Sequence, residues 1–144
     1  IVFGDWSSDV CSSDLQSQVR QWSETGQIAS VLGTLLAAGF STFVTSDHGN
    51  TEATGIGSPR EGVTAETRGE RVRIYSEAVL RKQVKAAFPD AVEWDPIGLP
   101  DGVLPLLAPT GAAFAPKGKV VVCHGGVSIE EVIVPLVEVT EGRR

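Results

Sequence analysis

The spacing of apolar positions changes along this chain from a helical period to a strand period. Between residues 16 and 40, apolar side chains recur every three or four positions, which predicts two helices separated at Gly26. Gly39 is placed to end the second helix with a left-handed cap. Thr42–Thr45 follows as a short strand rich in β-branched and aromatic residues.

The rest of the chain continues with strands, one longer helix and two glycine- and proline-rich stretches. The strand pattern occurs at residues 71–75, 91–94, 119–123 and 132–139. A helix is predicted over 77–88 behind a Ser76 cap, and Ser128 predicts a cap for one further helical turn. Residues 49–69 and 96–116 predict irregular loops. This order indicates an α/β layered domain with a small parallel core.

Composition narrows the classes of protein that the chain can belong to. With 144 residues, 42% hydrophobic and 21% charged, it has the size and balance of one globular domain. No apolar run approaches the roughly 20 residues needed to cross a bilayer, so no membrane association is expected. A net charge of −6 gives no long-range attraction for the phosphates of nucleic acids, so direct nucleic-acid binding by this chain is not expected. Two cysteines form no disulfide framework, so we expect a cytoplasmic protein.

The first residues of the chain do not have the character of a natural domain start. Residues 5–15, DWSSDVCSSDL, resemble the in-frame translation of a sequencing adapter. We therefore interpret 1–15 as an artefactual or unstructured leader and 16–142 as the domain. On this interpretation the natural protein extends further upstream.

The two histidines of the chain each follow an apolar run that predicts a buried strand. His48 lies in Ser46-Asp47-His48-Gly49-Asn50 after one such run, and His124 opens His124-Gly125-Gly126 after another. Strand ends in an α/β sheet meet in a ligand-binding crevice. Asp47, His48 and His124 are therefore candidate metal ligands. Their oxygen and imidazole donors suit zinc, manganese or iron, and three ligands with one open position suit a catalytic zinc. The alternatives are a buried histidine satisfied by a neighbouring carboxylate and, for His124, a plain turn histidine.

Two candidate nucleophiles beside these histidines are disfavoured. Cys123 precedes His124 in a strand, where neighbours point to opposite faces, which favours a buried inert thiol. Ser46 is adjacent to Asp47 and His48, whereas a serine triad needs residues from separate segments.

Three segments resemble, in order, the C-terminal part of the PglZ domain, a member of the alkaline phosphatase superfamily. They are SDHGNTEA at 46–53, ETRGER at 66–71 and HGGVSIEEVIVP at 124–135. The resemblance covers about residues 16–142. It implies a truncated α/β/α sandwich with a two-metal site, usually zinc-like, that acts on phosphate esters. It assigns Asp47 and His48 to one ion and His124 to the other.

The resemblance also implies parts that this chain does not contain. The nucleophilic Ser or Thr, a first Asp ligand and an Asp/His pair precede these motifs in the family and have no match here. We therefore expect no catalytic residue in this chain and little or no activity from it alone, while the activity of an intact protein stays open. Arg60 and Arg68 are candidate phosphate-binding residues, with a Glu66–Arg ion pair as the alternative.

Two functional hypotheses follow from the family. PglZ domains occur in bacterial phage-defence systems and some signalling proteins, so the first is part of a metal-dependent phosphoesterase-like domain. The second is a non-catalytic module that binds partner proteins of such a system. The first is the main hypothesis, and the acidic composition and the missing nucleophile fit the second, which is the alternative. A sugar-phosphate mutase of the same superfamily is disfavoured by the segment at 124–131.

Overall fold

The computed structural model of the chain describes residues 12–59 and 67–142. Within these ranges the helices are α1 (Ser12–Glu24), α2 (Gln27–Ala37), α3 (Ala78–Ala87) and α4 (Ile129–Val132). The strands are β1 (Thr42–Thr45), β2 (Thr51–Gly55), β3 (Thr67–Arg68), β4 (Val72–Tyr75), β5 (Val92–Glu93), β6 (Leu104–Leu107), β7 (Ala112–Ala113), β8 (Val120–Cys123) and β9 (Leu136–Val139). The α/β fold class predicted from the sequence is confirmed, and none of the described helices is long and apolar enough to cross a bilayer.

Glycines end the first two helices where the sequence predicts them. Gly26 separates α1 from α2 with a φ of 74°, and Gly39 follows α2 with a φ of 82°. Both lie in the left-handed region, where a residue without Cβ has no steric penalty. Helix α1 begins at Ser12, within the segment interpreted as a leader.

The strands form three small sheets. Strands β1 and β9 pair antiparallel as a two-stranded sheet, here called the β1–β9 ribbon, while the other two sheets have the orders β7-β2-β8 and β3-β4-β6-β5. Among the described residues, the parallel pairing is confined to β2 and β7, at Thr54↔Ala112 and Gly55↔Ala113. The expected crevice at the ends of neighbouring parallel strands is therefore wrong, since β1 and β8 lie in different sheets with antiparallel partners.

Both predicted irregular loops contain strands. Strands β2 and β3 lie in the 49–69 stretch, where β2 is the middle strand of its sheet, while β6 and β7 lie in the 96–116 stretch. The small residues Ala53 and Gly55 of β2 are buried, and Leu106 of β6 has no exposed surface. Glycine and proline weakened the strand signal, but pairing with distant strands outweighs local propensity.

The core lies between α3 and the four-stranded sheet. Tyr75, Leu106 and Phe114 are buried there with two alanines. Leu80 and Val84 of α3, and Phe88 directly after it, pack against them. The Phe88 and Phe114 rings meet edge to face, with centroids 5.5 Å apart, a favoured geometry for aromatic pairs. A second, smaller cluster surrounds β2 and β8 and consists of Ala53, Ala113, Ala115, Val121 and Cys123.

Strand β1 does not have the burial predicted for it. Phe43 is 56% exposed and Val44 41% exposed, and Leu136 on the paired strand β9 is 72% exposed. The prediction of a buried strand is therefore wrong for the described residues, because the β1–β9 ribbon has no covering layer like the one that α3 gives the four-stranded sheet.

Candidate metal site

Antiparallel pairing of β2 with β8 brings the two histidines together. Thr51 pairs with Cys123 in this register. The segment that enters β2 and carries His48 therefore lies beside the turn that leaves β8 and carries His124. The two imidazole rings stack with centroids 4.0 Å apart and planes 18° from parallel. This imidazole pair, His48 and His124, is the centre of the candidate site.

Local hydrogen bonds orient the His48 side chain. Its Nδ1 lies 2.9 Å from the Gly49 carbonyl oxygen, a contact that requires Nδ1 to donate and leaves Nε2 as the ring acceptor. The Asp47 carboxylate accepts the His48 backbone N–H at 3.1 Å, and its Oδ2 lies 3.9 Å from His48 Nε2. The Asp47 side chain is 89% exposed, so water competes for its oxygens.

The residue types fit a zinc site, whereas their spacing fits only in part. Imidazole nitrogen and carboxylate oxygen are common zinc ligands, and bonds of about 2.0 Å to a tetrahedral ion put two ligand atoms about 3.3 Å apart. The 3.9 Å between Asp47 Oδ2 and His48 Nε2 exceeds that spacing by about half an ångström. Within residues 12–59 and 67–142, no three His, Cys, Asp or Glu side chains converge on one point where an ion could bind.

A buried ion pair, which the sequence did not predict, lies next to the imidazole pair. Arg71 Nε donates to Glu131 Oε1, and Arg71 Nη2 donates to Glu131 Oε2, both at 3.0 Å. Arg71 is 2% exposed and Glu131 3% exposed. Arg71 Nη1 also donates to the carbonyl oxygens of Pro109, at 2.7 Å, and Ala112. This Arg71–Glu131 pair is therefore bidentate and fixed to the chain between β6 and β7.

The Glu131 carboxylate also binds the turn that follows His124. Oε1 accepts the Gly126 N–H at 2.8 Å and Oε2 accepts the Ser128 N–H at 3.1 Å. Burial by itself raises the pKa of this carboxyl, but hydrogen bonds from Arg71, Gly126 and Ser128 outweigh it and lower the pKa to about 2. Glu131 is therefore ionised at neutral pH despite its burial.

Two glycines allow the histidine segments to approach α4. A Cβ on Gly49 would lie 1.9 Å from the Glu130 carbonyl oxygen, and one on Gly126 would lie 2.6 Å from Glu131 Oε2. Both distances are shorter than a Cβ can tolerate. Gly49 N–H donates to the Glu131 carbonyl oxygen at 2.9 Å. The glycine after His48 and the second glycine after His124 thus both contact Glu131.

One sequence signal could have identified Glu131. Ser128 and Glu131 have the spacing of a capping box, in which the acidic side chain accepts the backbone N–H of the capping residue that precedes the helix. The predicted cap at Ser128 is confirmed as the residue before α4. No comparable local signal marks Arg71, because its partners are 38 to 60 positions away along the chain.

The predicted phosphate-binding residues lie largely outside the described part of the chain. Arg60 and Glu66 fall in the undescribed segment 60–66. Arg68 is described through its backbone only, where it pairs with Arg73 at the β3–β4 edge. The β3–β4 turn contains Arg71 and therefore lies beside the segment that carries His124.

Cys123 is buried at the end of β8, as the strand pattern predicted. Burial raises its pKa to about 11, with a smaller contribution from the Glu70 carboxylate. A thiol with this pKa is almost fully protonated at neutral pH and is a poor nucleophile or metal ligand.

Together these features define an α/β domain in which a histidine pair is held beside a buried carboxylate. In a scan against family models, the BREX system PglZ alkaline phosphatase-like domain matches residues 7–139. The chain therefore belongs to the PglZ family, as its motifs predicted. Neither the comparison with curated proteins nor that with solved structures returned a match.

Proposed function

We propose that this chain is the metal-binding C-terminal part of a PglZ domain that acts on phosphate esters. In this proposal Asp47 and His48 hold one divalent cation, most simply zinc, and His124 holds a second. Membership of an alkaline phosphatase-like family supports the proposal, and the observation that carries it is the contact between the two imidazole rings at 4.0 Å.

The ring geometry favours one imidazole for each ion. The lone pair of an imidazole nitrogen lies in the ring plane, and these planes are only 18° from parallel with centroids 4.0 Å apart. Two such rings do not converge readily on a single ion about 2 Å away. Paired ions in phosphoryl-transfer sites are about 3.5–4 Å apart, which is close to the separation of these rings.

Each ligand has a distinct role in this proposal. Nδ1 of His48 donates to the Gly49 carbonyl, so Nε2 presents its lone pair. Asp47 contributes negative charge beside it. Divalent cations, when bound, neutralise phosphate charge and polarise the phosphorus–oxygen bonds. Arg60 and Arg68 would add bidentate contacts to phosphate oxygens.

The nucleophile is not part of the proposal for this chain. We propose that a preceding segment supplies a Ser or Thr nucleophile, an Asp ligand and an Asp/His pair, and that the complete protein folds as a cytoplasmic α/β/α sandwich. The exposed apolar surface of Phe43 and Leu136 supports a covering layer of that kind. Sequence upstream of residue 16 that contains none of these groups would contradict a catalytic role.

Zinc titration of the chain by isothermal calorimetry tests the ligand assignment. We expect weak binding by the chain as it stands, and at least a 100-fold loss of affinity in His48→Ala or His124→Ala, because each change removes a ligand rather than an outer-sphere contact. Asp47→Asn should weaken binding less, since the amide keeps a ligand oxygen.

A matched control uses another exposed carboxylate. Asp101 lies in an exposed turn between β5 and β6, and Asp101→Asn should leave zinc affinity unchanged. Binding that survives both histidine substitutions would show that the imidazole pair is not the zinc site. A fourfold or smaller effect of each substitution would have the same meaning.

A second candidate function is binding of partner proteins in the defence system. The exposed apolar residues of the β1–β9 ribbon favour it, since contiguous apolar surface often marks an interface. Zinc titration separates the two candidates, because a binding module has no need of an ion at the imidazole pair.

A further inference from the structure

Glu131 contacts both histidine-bearing segments at once. Its backbone carbonyl accepts the Gly49 N–H at 2.9 Å, one residue after His48. Its carboxylate accepts the Gly126 N–H at 2.8 Å, two residues after His124. In addition to the β2–β8 pairing at Thr51↔Cys123, Glu131 therefore joins these two segments by hydrogen bonds on the side of α4.

Arg71 keeps the Glu131 carboxylate in one orientation. A carboxylate on a short helix such as α4 could rotate about its side-chain bonds, but two parallel bonds of 3.0 Å from the guanidinium fix its plane. The guanidinium is in turn held by the carbonyls of Pro109 and Ala112. The position of the His124 turn is thereby tied to the β6–β7 connection.

We propose that the Arg71–Glu131 pair is the positioning element of the imidazole pair: it holds the His48 and His124 segments in the register at which their rings stack. The described hydrogen bonds of the two side chains go to each other and to backbone groups rather than to the rings, so we treat both as positioning residues. The inference rests on the proposed function only in so far as the rings are metal ligands. The stacking of the rings can be measured without metal.

The close approach of the two glycines supports this role. Gly49 and Gly126 both press against α4 at distances that exclude a Cβ. An ion pair that only stabilised the fold would not require Gly49 and Gly126 to lie so close to α4. Here the pair, α4 and the two glycines form one continuous connection from the sheet to both histidines.

The test compares Glu131→Gln with the native chain by NMR in the absence of metal. Rings at 4.0 Å give a ring-to-ring nuclear Overhauser effect and mutual ring-current shifts. We expect Glu131→Gln to lose the Overhauser effect and to move both imidazole resonances towards their values in unfolded peptides. Arg71→Lys keeps the charge but not the bidentate geometry, and should lose part of the effect.

A matched control is the other described arginine–glutamate ion pair. Arg81 Nη2 on α3 lies 3.2 Å from Glu93 Oε2 on β5. Glu93→Gln should leave the imidazole resonances and the Overhauser effect unchanged. If Glu131→Gln folds and keeps the native Overhauser effect, the pair is only structural and the inference is overturned.

Two further measurements separate failure of this inference from failure of the proposed function. If the native chain binds zinc, Glu131→Gln should weaken binding about 10- to 100-fold, the range for outer-sphere partners. If the native chain binds no zinc but the variant loses ring stacking, the proposed function fails and the positioning role stands. Should both variants fail to fold, amide exchange in the native chain decides: free exchange at Gly49 or Gly126 would overturn the inference.

Discussion

At the scale of single residues, Glu131 combines three properties that rarely occur together in one side chain. It is acidic, buried and ionised, which is tolerated because its two oxygens together accept four hydrogen bonds: two from Arg71 and one each from the Gly126 and Ser128 N–H groups. Removing one partner of such a pair is costly, since the other charge is left buried without compensation.

The pKa of Glu131 predicts a loss of stability in acid. Its folded-state value of about 2 lies below the ordinary 4.5, so the unfolded chain binds more protons between these values. The contribution of Glu131 is therefore fully present above about pH 5 and is lost as the pH falls from 4.5 towards 2. A shift of this size corresponds to about 3 kcal/mol in the free energy of unfolding.

Urea unfolding of the native chain and of Glu131→Gln from pH 7 to pH 2.5 measures this contribution. The difference in unfolding free energy between them should shrink as the pH falls below 4.5, because the unfolded native chain then binds a proton at Glu131 that the folded chain does not, whereas the variant has no carboxyl there. Glu138→Gln, at an exposed position on β9, serves as the control and should run parallel to the native chain. If the difference in unfolding free energy between the native chain and Glu131→Gln does not change with pH, the lowered pKa of Glu131 is contradicted.

At the scale of elements, β2 shows why short strands were taken for irregular loops. Its last three residues are Ala53, Thr54 and Gly55, and of these only Thr54 has the β-branched side chain on which strand prediction depends. Gly55 is required by packing: its N–H donates to the Lys119 carbonyl, and a Cβ on it would lie 2.1 Å from the Pro116 carbonyl oxygen. Gly55 weakens the strand signal in the sequence, and the same residue allows β2 to approach the Pro116 backbone closely.

Gly55→Ala and Gly33→Ala should therefore have opposite effects. At Gly55 the added methyl meets backbone that cannot rotate away, and the expected loss is about 1–3 kcal/mol in the free energy of unfolding. At Gly33, inside α2, the methyl meets nothing within 4 Å, so the change should stabilise the chain by up to about 1 kcal/mol. Thermal or urea unfolding of the two variants checks both signs. Equal effects would show that β2 does not pack against the 115–116 backbone.

At the scale of the whole molecule, stability is distributed unevenly over three small sheets. The four-stranded sheet carries the core with Tyr75, Leu106 and Phe114, whereas the β1–β9 ribbon has Phe43 and Leu136 largely exposed. Two-stranded sheets without a packed face are at best marginally stable in water. The histidine site lies between these regions, since β1 leads into His48 and β9 follows α4.

Hydrogen exchange should reveal this difference. Amides of β1 and β9 should exchange at lower opening free energies than those of β6 and β8, because segments with few buried contacts open locally. Mass spectrometry of peptic peptides that cover 42–45, 104–107, 120–123 and 136–139 measures it. Protection of the ribbon equal to that of β6 would mean that a further layer, such as a second molecule, covers it in solution.

The sequence alone determined the features that depend on neighbouring residues. Helix ends at Gly26 and Gly39, the short strands at 42–45 and 120–123, the cap at Ser128 and the family motifs were all predictable, because backbone conformation and side-chain spacing decide them locally. The chemistry of the candidate site could also be proposed in this way, since both histidines follow strand-forming runs.

The tertiary structure decided which strands pair and what holds the histidines together. The antiparallel Thr51↔Cys123 register, rather than a parallel crevice, brings the imidazoles into contact. The Arg71–Glu131 pair joins residues 60 positions apart, and no local rule connects them. Long-range pairing depends on packing and on satisfying buried polar groups across the whole molecule, so the sequence indicated the candidate ligands while the fold determined how they are held.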